Sequence, residues 1–401
     1  MKVLFIAPEN TSTGGSFLSM IELCKQLRRR YGVIPVVATS SSGDGIELLK
    51  KANIDFFTIP FYFPTYSLEK SFVVRVKNIV KFFLLPIHYF SAWKLEKYIQ
   101  KENVDLVHIN TVFPLGAADA ALKTGCPFVW HLREMYSKDY NVSYIQGNEY
   151  AFNLFRQADA LIAISDMVNQ VYEEVLHIGD KLVTVYNGIS LDFYRKREIL
   201  KNNVITFACI ASFLKHKNHI ELINACKLLR EKGVTQYKVV FVGKGVLKKK
   251  LQQLVNTYKL ENNIIFAGTR SDIPDFLETC DVVCVPSSSE AFGRTFVEGM
   301  LSGCLVIGAV SAFSAAEEII DDNKTGLLYN SGNHVELAEK MEEVIMGKAK
   351  EKLRIIAKQG QKAAMHRFTS ERNADEVMKV YRNVLQKRGK ILHGEAEERR
   401  I

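Results

Sequence analysis

No Asp-X-Asp triplet, no Cys-X-X-Cys and no zinc-type spacing occurs anywhere in this chain. Without the triplet, one common carboxylate device for holding a divalent ion on a phosphate is not evident. The seven cysteines (24, 126, 209, 226, 280, 284 and 304) are odd in number and scattered, mostly in apolar runs. That pattern excludes a disulfide framework and a zinc ribbon and reads as reduced core residues of a cytoplasmic protein. Long uninterrupted apolar stretches are also missing. The most apolar region is broken by Arg75, Lys77, Lys81 and Pro86, so no membrane-spanning helix is expected. The run before Pro8 is too short for the apolar part of a signal peptide and reads as a first buried strand. No repeat of fixed period stands out. The glycine turn after that strand is not Gly-X-Gly-X-X-Gly, so a dinucleotide is not indicated.

What is present is the balance of a packed globular protein: 401 residues, 47% hydrophobic and 24% charged. A chain of that length exceeds one ordinary core, so two domains are expected. Lys and Arg exceed Asp and Glu by 53 to 44, which points to an anionic partner. Nucleic acid has only this charge in its favour, since no recognition module is present.

Short Val/Ile/Leu/Phe runs without polar alternation recur between helical stretches, as strands buried on both faces of a parallel sheet do. In the first half they cover 3–7, 33–38, 56–59, 106–109, 128–131, 160–164 and 183–185. After a polar stretch the rhythm restarts at 205–210, 238–242, 264–267, 282–285, 305–308 and 326–328. The expectation is an α/β architecture of two similar, doubly wound parallel-sheet domains facing each other across a cleft. The boundaries read as 1–188, a linker over 189–203, a second domain over 204–365, and a helix within 366–401 that crosses back to the first domain before a polar tail.

The segment from Phe61 to Tyr98 departs from this rhythm. It carries many aromatics with Arg75, Lys77, Lys81, Lys94 and Lys97 interleaved, and Phe72, Val73, Val76, Ile79, Val80, Phe83 and Leu84 share one helical face. Two readings stay open: a basic interfacial helix on an anionic membrane surface, or a helix packed on its own core.

The most informative stretch is Pro286-Ser-Ser-Ser-Glu290-Ala-Phe-Gly293-Arg294-Thr-Phe-Val-Glu298, which leaves a buried strand and opens a helix. Gly293 lets backbone approach a ligand. The helix start offers unpaired N–H groups and partial positive charge to a diphosphate, and Arg294 adds a fixed cation. This stretch resembles the Glu-X7-Glu signature of the retaining glycosyltransferases of family 4, which have the GT-B fold. Phe266-Ala-Gly268-Thr-Arg-Ser-Asp272-Ile-Pro274 before it, and Gly303-Cys-Leu-Val306-Ile with Thr325-Gly326-Leu327-Leu328 after it, match as well.

The resemblance implies that Glu290 lies at the donor sugar's hydroxyls and Glu298 at the donor ribose, with Phe292, Gly293, Arg294 and Thr295 around the donor. It implies that Lys217 binds the donor diphosphate. Ser212 stands where an Arg is usual, and Lys215 or Arg294 would supply the missing charge. On the first domain it implies backbone contacts from Gly14 and Gly15 and an active-site role for His131 at a strand's carboxyl end. Asn187-Gly188 matches a run leading into the linker, with Gly188 as a hinge.

The activity so implied is transfer of a hexose or N-acetylhexosamine from a nucleotide diphosphate sugar, with UDP the expected nucleotide, to a glycan or polyprenyl-linked acceptor in cell-surface polysaccharide synthesis. Retention, no metal and no cofactor are expected. Two alternatives are a sugar-nucleotide epimerase on the same fold and a non-catalytic protein that binds an anionic glycolipid. The transferase-like context of Glu290 and Glu298 argues against the epimerase, and the joint presence of His131, Lys217, Glu290 and Glu298 argues against the binding-only protein.

Overall fold

The computed structural model describes residues 1–68, 72–135, 142–347 and 349–389. The chain divides into two compact units, Met1–Gly188 together with the chain from Ser370 onward, and Ile189–Thr369.

Among the described residues the first unit carries strands β1 (Lys2–Ala7), β2 (Ile34–Thr39), β3 (Asp55–Thr58), β4 (Thr65–Ser67), β5 (Leu106–Asn110), β6 (Phe128–Leu132), β7 (Val142–Tyr144), β8 (Ala160–Ala163) and β9 (Leu182–Thr184). Seven of them form one sheet in the order β3-β2-β1-β5-β6-β8-β9, parallel throughout. Every residue of β5 and β6 is buried, which is why these strands read as mostly apolar, interrupted only by His108, Asn110 and His131. The short β4 and β7 pair antiparallel outside this sheet. Neither has an apolar run, so neither was legible in the sequence.

The second unit repeats the plan with β10 (Ile205–Ile210), β11 (Tyr237–Val242), β12 (Ile264–Gly268), β13 (Val282–Val285), β14 (Leu305–Val310) and β15 (Leu327–Asn330), in the order β12-β11-β10-β13-β14-β15. In both sheets the chain winds outward from the first strand, then returns to that strand's other side. Such a reversal leaves a crevice beyond the carboxyl ends of the two strands it separates. These pairs are β1 and β5 in one unit, β10 and β13 in the other.

The last helix, Ser370–Lys387, buries Val377, Tyr381, Val384 and Leu385 in the first unit's core. It packs on the helix Gly15–Tyr31, where Arg30 and Tyr31 both reach Asp375.

The segment with two open readings forms the helices Phe72–Phe83 and Leu85–Lys101. The second buries Ala92, Leu95 and Ile99 and packs on the helix Leu115–Thr124. The first turns Val76, Ile79, Val80 and Phe83 outward, with Ile79 60% and Phe83 75% exposed. No helix among the described residues is long and apolar enough to cross a membrane.

Candidate functional site

Both crevices are lined by residues singled out in the sequence. In the second unit the loop after β10 bends through a short 3-10 turn, Lys215–Lys217, closed by Asn218 in a left-handed conformation. The loop after β13 is tied to that turn, since Ser288 donates its backbone N–H to the His216 carbonyl at 2.8 Å. On its other side it is tied to the loop after β14: Glu290 N donates to Phe313 O at 2.8 Å and Ala315 N to Glu290 O at 2.9 Å. These bonds set Lys217 Nζ at 2.6 Å from Glu290 Oε2, with side-chain exposures of 19% and 17%.

The helix Arg294–Leu301 starts four residues later. Its N-cap, Gly293, sits at φ 81°, and no side chain caps the helix. One turn in, Arg294 meets Glu298 at 2.9 Å, and Glu298 is buried. The outcome is two partly buried ion pairs and a helix N-terminus at one sheet crevice. A diphosphate can draw Lys217 and Arg294 from their carboxylates, leaving those carboxylates to accept from sugar or ribose hydroxyls.

The remaining predicted residues divide by what they can offer. Phe292 is buried and meets Phe368 edge to face at 5.8 Å, so its ring supports the loop from behind. Thr295 donates its hydroxyl to the Ile210 carbonyl at 3.3 Å, pinning the helix start to the end of β10. Ser212 and Lys215 are exposed on the loop after β10.

A feature that went unread is the turn after β11. A Cβ on Gly243, whose φ is 149°, would fall 2.1 Å from the Ala211 carbonyl, and one on Gly245 2.6 Å from that of Phe213. These two glycines let the β11 loop lie against the loop after β10. The signal for them was a Gly-X-Gly directly after a buried strand.

In the first unit the loop after β1 holds Gly14, which caps the helix Gly15–Tyr31 without any side-chain capping bond. Its N–H donates to Thr11 O at 3.0 Å, and a Cβ there would strike Thr11 Oγ1 at 2.4 Å. Gly15 follows as the first, exposed residue of that helix.

His131, near the carboxyl end of β6, is fully buried. Its Nδ1 lies 3.1 Å from Nε2 of His108 on β5 and 3.4 Å from Nη2 of Arg133, and its Nε2 has no hydrogen-bond partner among the described residues. Arg133 is held by Asn110 Oδ1 at 2.5 Å and Asn187 Oδ1 at 2.6 Å. Asn110 in turn donates to Ser16 O at 3.4 Å, so the glycine turn and His131 belong to one connected crevice. Burial, then the Arg133 cation, push the His131 pKa well below its usual value, so the ring is neutral. Thr111, next to this group, holds φ at 99°. For a β-branched residue that is a strained conformation, of the kind that gathers at functional sites.

Two family models match, "Glycosyltransferase Family 4" over residues 13–193 and "Glycosyl transferases group 1" over residues 192–363. The chain is 25% identical to N-acetyl-alpha-D-glucosaminyl L-malate synthase of Bacillus anthracis, over 95% of this chain and 97% of that one. It is 28% identical, over 38% of this chain and 41% of the relative, to a Campylobacter jejuni N-acetylgalactosamine-N,N'-diacetylbacillosaminyl-diphospho-undecaprenol 4-alpha-N-acetylgalactosaminyltransferase. Among solved structures, Anabaena HepE in complex with UDP and glucose superposes with a TM-score of 0.75 at 23% identity, over 96% of this chain and all of that one.

Proposed function

We propose, because this chain belongs to the glycosyltransferases of family 4, that it carries a hexose or N-acetylhexosamine from UDP to a glycan or polyprenyl-linked acceptor, with retention and without a metal ion. The observation that carries this reading is the double ion pair of Lys217 with Glu290 and Arg294 with Glu298 at a helix N-terminus. UDP as the nucleotide is supported by the solved UDP complex of the Anabaena relative.

As the bond from the anomeric carbon to the phosphate oxygen breaks, positive charge grows on the sugar and negative charge on the diphosphate. Lys217, Arg294 and the helix N-terminus meet the second charge where it develops. The acceptor oxygen bonds to the same face of the anomeric carbon, and its proton passes to the departing phosphate oxygen. Glu290 holds the sugar hydroxyls and Glu298 the ribose, and His131, at the position of the family's active-site histidine, is a further contact to the sugar.

The outward apolar face of Phe72–Phe83, flanked by Arg75 and Lys77, supports docking on an anionic membrane surface. There a polyprenyl-linked acceptor, of the kind named for the Campylobacter relative, is within reach.

The test is binding and hydrolysis across UDP-, GDP-, ADP- and dTDP-sugars in EDTA, on the natural protein and on Glu290→Ala and Lys217→Ala. Saturable use of one donor, with affinity reduced on the order of 10- to 100-fold in Lys217→Ala and turnover lost in Glu290→Ala, is expected. Failure of every donor to bind overturns the reading.

A further inference from the structure

His131 does not stand alone. Its Nδ1 is the end of a buried chain that runs from Tyr381 Oη to His108 Nδ1 at 2.6 Å and from His108 Nε2 to His131 Nδ1 at 3.1 Å. All three side chains are fully buried, and Tyr381 comes from the helix Ser370–Lys387, far away in sequence.

Each nitrogen in this chain can be given a role by elimination. A guanidinium has donors only, and Arg133 Nη2 faces His131 Nδ1 at 3.4 Å. Arg133 cannot turn away, because Asn110 and Asn187 hold its other nitrogens. A proton on His131 Nδ1 would therefore point at a fixed cation, so Nδ1 carries the lone pair. His108 Nε2 must then carry its proton to donate to it, which leaves His108 Nδ1 as the acceptor of the Tyr381 hydroxyl. Burial keeps that phenol protonated and both imidazoles neutral. One proton remains on the His131 ring, and only Nε2 can hold it. Nε2 is also the atom that has no hydrogen-bond partner among the described residues.

We propose that Arg133 and His108, the latter held by Tyr381, are positioning residues that lock His131 in its Nε2–H tautomer, so that it presents a hydrogen-bond donor to an oxygen of the sugar nucleotide. This rests on the reading of His131 as a donor-site residue. It further assigns His131 as a neutral donor, which excludes it as the base that deprotonates the acceptor. It also gives the C-terminal helix a part in the chemistry as well as in packing.

The test is a long-range proton–nitrogen correlation spectrum of protein labelled with 15N-histidine, with the His131 signals assigned by their loss in His131→Ala. Expected is a protonated Nε2 and an unprotonated Nδ1 in the natural protein and in His108→Gln, whose amide N–H replaces the lost donor. The same state is expected in His108→Leu and in Tyr381→Phe, where Arg133 still faces Nδ1, and the two tautomers mix in His108→Leu combined with Arg133→Leu. Turnover falls on the order of 10- to 100-fold in this double variant, with KM for the donor nearly unmoved, and His108→Gln in place of His108→Leu restores most of it. A His131 Nδ1–H signal in the natural protein overturns the proposal, as does an unmixed Nε2–H signal in the folded double variant. Should that variant fail to fold, the spectrum of the natural protein decides alone. Full turnover in His131→Ala would remove the reading of this residue as a donor contact, and the spectrum would still decide the tautomer.

Discussion

Gly293 shows how much one residue without a side chain can fix. Its φ of 81° is in the left-handed region, and a Cβ there would lie 2.3 Å from the Phe296 ring and 3.1 Å from Glu290 Cγ. Gly293→Ala is expected to cost about 1–3 kcal/mol, read as a melting temperature lower by roughly 3–10 °C. It also displaces Glu290, so donor affinity falls with stability; a variant that melts normally would show the turn is relaxed. A second residue sets an acid limit. His219 is buried edge to face between Phe213 and Phe241, with neither ring nitrogen hydrogen-bonded among the described residues. Burial, then the Lys217 charge, hold its pKa down from 6.5 to about 4. Between those values the unfolded chain binds a proton that the folded one refuses. Stability is therefore whole above pH 6.5 and declines as the pH falls toward 4, by on the order of 3 kcal/mol. Denaturant midpoints of His219→Phe against pH are expected to lose that part of the slope; an unchanged slope would place the titration elsewhere.

At the scale of elements, the helix Phe72–Phe83 makes the sharpest claim. A helix whose apolar stripe served its own core would hide Ile79 and Phe83, and here both are largely exposed. Ile79→Glu with Phe83→Glu is expected to cut co-sedimentation with anionic phospholipid vesicles at least about tenfold while leaving the melting temperature in place. Added salt should weaken binding of the natural protein, and equal binding by the variant would show the stripe serves another purpose. The amphipathic spacing was plain in the residues, but which way the stripe faced was not, because a surface helix on a core and one on a membrane share the same periodicity. The core strands were legible for the opposite reason: burial on both faces leaves a mostly apolar signature. Thr65–Ser67 and Val142–Tyr144 have none, and their pairing joins segments far apart in the chain.

For the molecule as a whole, the same winding occurs twice, and the GT-B fold of the family follows from that repetition. Each sheet reverses direction beside its first strand, and the loops at the reversal carry the candidate site. Hydrogen exchange with saturating UDP is expected to gain protection in the second unit at 212–218, 243–245 and 288–298, by up to about 2.7 kcal/mol at a hundredfold excess over Kd. Protection spread evenly over all segments, or none, would move the nucleotide away from this crevice.

The residues alone determined the α/β class, the repeat of the sheet rhythm, the loop-to-helix signature around Glu290 and Glu298, and the notice drawn to Lys217 and His131. All of these are local: a run, a spacing, or a residue at a strand's end. Only the tertiary structure decided that Lys217 meets Glu290, that Gly243 and Gly245 make room for the neighbouring loop, and that Tyr381 reaches His108 and through it His131. The physical reason is the parallel sheet, which makes neighbours of strands distant in sequence. Which side chains then share a hydrogen bond is set by strand order and register, and neither is written in any short stretch of the chain.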